Sequence, residues 1–68
     1  MFDYRKLKGR IVEICGTQAA FADKIDRSGV YVSQVLNNKS VLDVNDVIAW
    51  ADALEIAPEQ YADYFFAR

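Results

Sequence analysis

The twelve residues SGVYVSQVLNNK, Ser28 to Lys39, carry hydroxyls at Ser28 and Ser33, a phenol at Tyr31, carboxamides at Gln34, Asn37 and Asn38, and one ammonium at Lys39. Side chains of this kind exchange hydrogen bonds with base edges and phosphates, and none of them is an activated nucleophile or a general base near neutral pH. The rest of the chain supplies little that could add catalysis. It has no histidine, and its one cysteine, Cys15, has no histidine to activate it and no second cysteine to pair with. The usual zinc ligand sets and Cys/His chemistry are therefore not available. Gly9, Gly16 and Gly29 are too scattered to form a phosphate-cradling loop. The expectation is a binding protein with no enzymatic activity, no metal and no cofactor.

A side chain can reach into a groove only if a rigid element carries it, and the punctuation of the chain marks a succession of short helices. Asp3 is placed to cap a first helix with Tyr4, Leu7, Ile11 and Ile14 on its inner face, and Gly16 to stop it. Thr17 caps a second helix with Phe21, Ala22 and Ile25 inward. After the short turn Asp26-Arg27, Ser28 caps a third, with Val32, Val35 and Leu36 inward and Asn37-Asn38 as its stop. The composition of VYVSQVL would also suit a strand, but its cap and its place between helices favour a helix. Asp43 caps a fourth helix, whose apolar stripe reads Val44, Val47, Ile48, Ala51 and Leu54, and Asp46 favours its positive end. Pro58 fits the first turn of a fifth helix with Tyr61, Tyr64 and Phe65. The fold class is all-α, four to five short helices in a single domain over residues 1–68.

At 68 residues only roughly 60% of the unfolded surface can be buried, so packing must be tight. Trp50, Tyr61, Tyr64, Phe65 and Phe66 exceed what so small a core requires. Phe65 and one of the two tyrosines suffice to close its base, so the candidates for a homodimer or protein-partner surface are drawn from Tyr61, Tyr64 and Phe66. No apolar run approaches the ~20 residues of a membrane span, and MFDYRKLKGR lacks the apolar core of a signal peptide. With a lone cysteine as well, the cytoplasm is the expected compartment.

Together the second and third helices read T-Q-x-x-F-A-x-x-I, a short turn, then S-x-x-x-V-S-x-x-L-N-N-K. The small Ala22 lies where two helices would cross, with Phe21, Ile25, Val32 and Val35 as anchors. In this grammar the chain resembles the phage repressor and Cro-like helix-turn-helix family from Leu7 through Leu54. It is similar to short phage-encoded regulators of that group in Phe2-Asp3-Tyr4, Gly9-Arg10-Ile11, Glu13, Gly16-Thr17-Gln18, Ser28, Ser33, Leu36-Asn37-Asn38-Lys39 and Tyr64-Phe65-Phe66.

The resemblance implies a lambda-repressor-like DNA-binding domain with its helix-turn-helix at about 17–37. It places base contacts at Ser28, Val30, Ser33 and Gln34, with Gly29 among the same exposed positions. Gln34 could pair bidentately with adenine, and Val30 could touch only a thymine methyl. Phosphate contacts fall to Thr17, Gln18, Asn37 and Lys39, with Tyr31 and Arg10 as further candidates.

The departures matter as well. Asp26 replaces the usual turn glycine, and Arg27 replaces an apolar turn residue, which loosens an anchor or frees a charge for phosphate. Gly29 removes a reading side chain, and the helix has no arginine for guanine. Charge divides along the chain: residues 1–40 set seven cations against four carboxylates, net +3, whereas residues 41–68 set Arg68 against six, net −5. Two functions follow as expectations. One is a phage or prophage transcriptional regulator that binds double-stranded operator DNA through the helix at 28–37, as a homodimer or with a partner. The other is an antirepressor or modulator that keeps the fold and docks on a repressor protein, with Val30 and Tyr31 as an apolar patch.

Overall fold

Local capping explains most of the boundaries in the computed structural model, which describes residues 1–68. Helix α1 runs Arg5–Cys15 and stops where Gly16 turns to φ +87° and donates its N–H to Val12 O (2.9 Å). That angle suits a residue without Cβ. Helix α2, Gln18–Lys24, starts at Thr17, whose Oγ1 accepts the Ala20 N–H at 3.0 Å. Helix α3, Gly29–Leu36, starts at Ser28, whose Oγ accepts the Tyr31 N–H at 3.1 Å. Helix α4, Val44–Ala53, starts at Asp43, whose Oδ1 accepts the Asp46 N–H at 2.8 Å. Each cap satisfies an amide that the helix itself cannot.

Two boundaries differ from the sequence expectation. The residue that caps α1 is Tyr4, with no side-chain cap; Asp3 sits one residue earlier, where its Oδ1 still accepts the Arg5 N–H at 3.0 Å. Pro58 opens a 3₁₀ turn, Pro58–Gln60, and helix α5 proper spans Tyr61–Phe65. With no N–H to donate, proline ends up where the tighter turn begins.

The five helices enclose fourteen buried side chains, all apolar or aromatic. The fourth helix shows how the core chooses its faces. The sequence stripe placed Val44 and Ile48 inward and left Trp50 as surplus; in the structure Trp50 is 1% exposed, while Val44 and Ile48 are 75% and 51% exposed. Trp50 has the largest apolar area on the helix, so its burial dominates the choice of face. Its ring meets Phe21 edge to face at 4.9 Å. The helix is turned so that Val47, Trp50, Ala51 and Leu54 point inward and Val44 and Ile48 rotate out. The indole N–H of Trp50 is buried without a hydrogen-bond partner.

The N-terminal segment is tied down rather than loose. The Phe2 N–H donates to Asn38 Oδ1 (2.8 Å), and Asn38 Nδ2 donates back to Phe2 O (2.9 Å). Next to this pair the Asp3 N–H donates to Ala67 O at 2.7 Å. Asn38 holds φ +61° just past the end of α3, in the left-handed region that asparagine tolerates better than most residues. No helix is long and apolar enough to cross a membrane.

Candidate helix-turn-helix interface

Ala22 is 2% exposed and, with Phe21, Val32 and Val35 fully buried, fixes the crossing of α2 on α3. The turn closes through Arg27 N–H to Ala22 O at 2.9 Å, and Asp26 takes φ +58° in it. The left-handed position that a glycine would fill is thus occupied by aspartate. This geometry turns one side of α3 outward. Gly29, Val30 and Gln34 are exposed there, and Val30 is 68% exposed. Gln18, at the first turn of α2, is exposed, as are Asn37 and Lys39 beyond the end of α3.

Several of the candidate contacts already have partners within the chain. The Ser28 and Thr17 hydroxyl oxygens act as caps. Ser33 is half-buried, and Asn37 Nδ2 donates to its carbonyl at 2.8 Å and to its hydroxyl at 3.3 Å. Arg10 points away from α3: its Nε donates to Leu54 O (2.9 Å), a second nitrogen donates to Glu55 O (3.1 Å), and a third meets Glu13 at 2.9 Å. Carbonyls at the end of α4 have no intrahelical donor, so a guanidinium is a favourable cap there.

Asp46 is the residue that sequence reasoning missed. It was assigned to the positive end of α4, where it lies, but its carboxylate also reaches back across the helix-turn-helix. Arg27 donates to Oδ1 at 2.6 Å and the Tyr31 hydroxyl donates to Oδ2 at 2.7 Å. The Arg27 guanidinium also lies over the Tyr31 ring, 4.6 Å from its centre. Arg27 therefore neither loosens an anchor nor stands free for phosphate, because Asp46 takes its charge. The Asp46 side chain is 15% exposed and that of Arg27 45%. Solvent screening at the exposed guanidinium limits what this contact adds to stability, so its main effect is to hold Arg27 and Tyr31 in place.

The protonation equilibria follow from this packing. Burial, and then the hydrogen bond to Asp46, push the Tyr31 phenol up to about 12. Hydrogen bonds from Tyr31 and Arg27 hold the Asp46 carboxyl below the usual carboxylate range despite its partial burial. Tyr31 is neutral and Asp46 charged across the physiological range. The one clue in the sequence was the four-residue spacing of Arg27 and Tyr31 on successive turns of chain; nothing local points to position 46 as their acceptor.

The candidate aromatic surface divides. Tyr61 and Phe66 join Leu42, Val44, Val47 and Ile48 around an apolar groove of about 230 Å³. Tyr64 lies against α1 instead, with Lys6 Nζ 4.9 Å from its ring centre.

Comparison with known proteins adds three findings. Residues 1–68 match the model of a family described as "Protein of unknown function (DUF739)". Among solved structures, the chain is similar to the solution structure of the modulator of repression (MOR) of the temperate bacteriophage TP901-1 from Lactococcus lactis. The two are 37% identical with a TM-score of 0.86, over 96% of this chain and 88% of that one. No curated protein matches the sequence.

Proposed function

For a chain that belongs to the DUF739 family, we propose a phage regulatory role in which the helix-turn-helix scaffold docks on a repressor protein and alters its hold on operator DNA. The carrying observation is the Asp46 carboxylate, which occupies both Arg27 and Tyr31, the cation and the phenol placed to meet phosphate beside α3. Helix α3 itself contains no cation. Interfaces that read DNA draw most of their affinity from Lys and Arg on phosphate, and the commonest specific base contact is arginine on guanine. A surface that presents Gly29 and Val30 and holds a carboxylate beside them is better suited to a protein than to a polyanion. The similarity to a modulator of repression supports a repressor as that protein. On this reading the chain is not an enzyme.

Operator binding is the second reading, favoured by the exposure of Gln18, Gln34, Asn37 and Lys39 along one side of the α2–α3 unit. One pair of titrations separates the two. The chain is titrated by calorimetry against the repressor encoded beside it, and by fluorescence anisotropy against a library of duplexes at ~50 mM salt, where phosphate contacts are strongest. The expected result is a saturable complex with the repressor and no specific duplex. A duplex bound specifically, with affinity falling steeply as salt rises and no complex with the repressor, overturns the modulator reading.

A further inference from the structure

The apolar groove lined by Leu42, Val44, Val47, Ile48, Tyr61 and Phe66 lies between the connector after α3, helix α4 and helix α5. All six lining residues are apolar or aromatic. Val44, Ile48 and Phe66 are each more than half exposed, and Val41 in the adjoining connector is 82% exposed. Three of the seven large exposed hydrophobic side chains of the molecule therefore line this one groove. Contiguous exposure of this kind on a small protein marks an interaction surface more often than scattered single residues do. A second trough, of about 380 Å³, shares the Ile48 and Tyr61 walls and continues the groove along α4 to Ala49, Asp52 and Pro58.

The charges decide what fits. No cation lines either trough. Asp52 lines the second trough and is in no ion pair, and residues 41–68, which form these walls, carry a net charge of −5. The single cation of residues 41–68, Arg68, is stacked over Phe2. A second copy placed on the groove through a two-fold axis would set two segments of net charge −5 against each other, which disfavours association. The groove and its continuation run open along one face of a helix, a shape that suits side chains presented from a partner helix.

We propose that the α4–α5 groove docks a cationic amphipathic helix of a protein partner. Apolar anchors one and two turns apart enter beside Ile48 and Tyr61, and flanking Lys or Arg side chains meet Asp52 and the net negative charge of residues 41–68. This site is separate from the exposed face of α3 and does not depend on the partner being a repressor.

The test uses the full chain and two synthetic 16-residue helical peptides with the same leucines at i, i+3, i+4 and i+7. One carries lysine and the other glutamate at the remaining polar positions. Binding is read by anisotropy and located by amide shifts in ¹⁵N-labelled protein. The lysine peptide is expected to bind at least about tenfold more tightly than the glutamate peptide, and less tightly as salt rises. The shifts are expected at Val44, Ile48, Tyr61 and Phe66. Ile48→Lys should weaken binding at least about tenfold, with an unchanged Tm because the side chain is half exposed. Asp52→Lys should flatten the salt dependence.

Equal affinity for both peptides, no binding, or shifts confined to α3 each overturn the proposal. So does self-association of the protein that Ile48→Lys abolishes, which assigns the groove to a second copy. If the repressor still binds the Ile48→Lys variant while the lysine peptide binds neither form, this proposal fails and the modulator reading stands. Peptide binding without a repressor complex gives the reverse.

Discussion

A single carboxylate decides what the face beside α3 offers. Asp46 gathers the Arg27 guanidinium and the Tyr31 hydroxyl onto its two oxygens, so groups that could have met a phosphate face an internal anion instead. Asp46→Asn keeps the shape and removes the charge. The variant is expected to be modestly less stable than the parent chain, read as a lower midpoint in urea. It should also lower the Tyr31 titration part of the way, because burial, the larger cause of its shift, remains; the change is visible as the last tyrosine step in the absorbance of the phenolate. With Arg27 released, salt-sensitive nonspecific binding to duplex DNA should rise above that of the parent chain; an unchanged binding curve would show that Arg27 has no reach toward phosphate.

At the level of the helices, the amide clamp from Asn38 to Phe2 ties the N-terminal segment to the end of α3. Asn38→Ala removes both hydrogen bonds and puts a less tolerant residue at φ +61°. The expected cost is about 1–3 kcal/mol, with faster hydrogen exchange at the Phe2 amide. Equal exchange in parent and variant would mean the clamp does not hold in solution. Much of this level was legible in the sequence because caps and stops act within a few residues. Thr17, Ser28, Asp43, Gly16 and the asparagines after α3 all do what their chemistry dictates. What was not legible depends on partners far along the chain. The rotation of α4 follows from Trp50 finding Phe21, and a periodic stripe cannot show which of two overlapping faces wins. The same distance hides the acceptor of Tyr31, fifteen residues on, and the donor to Leu54 O, forty-four residues back. The capping residues of the helix-turn-helix could be read directly; the use its polar side chains make of one another could not.

For the whole molecule, the shifted groups give stability a defined pH range. Arg5 holds the Asp3 carboxyl down to about 2, and Asp46 is lowered by Tyr31 and Arg27. The unfolded chain binds these protons at ~4, so the stability they contribute is complete above that pH and is lost as pH falls through their folded values. Tyr31 shifts the other way. Its proton leaves the unfolded chain near ~10 but is retained in the fold to about 12, so its contribution is full below ~10 and disappears as pH rises through about 12. Denaturation midpoints measured across pH should therefore be flat from ~5 to ~9 and fall on both sides; Asp46→Asn should reduce both limbs without removing either, since Arg5 still lowers Asp3 and burial still raises Tyr31. An alkaline limb unchanged in that variant would show that burial alone, without the Asp46 contact, raises Tyr31. The Asp46 contact also bears on how such a protein could change over generations. Aspartate and asparagine codons differ by one base, so a single point mutation could unmask Arg27. Under selection for operator binding, position 46 is where the first adaptive change would be expected, before any new cation needs to arise on α3.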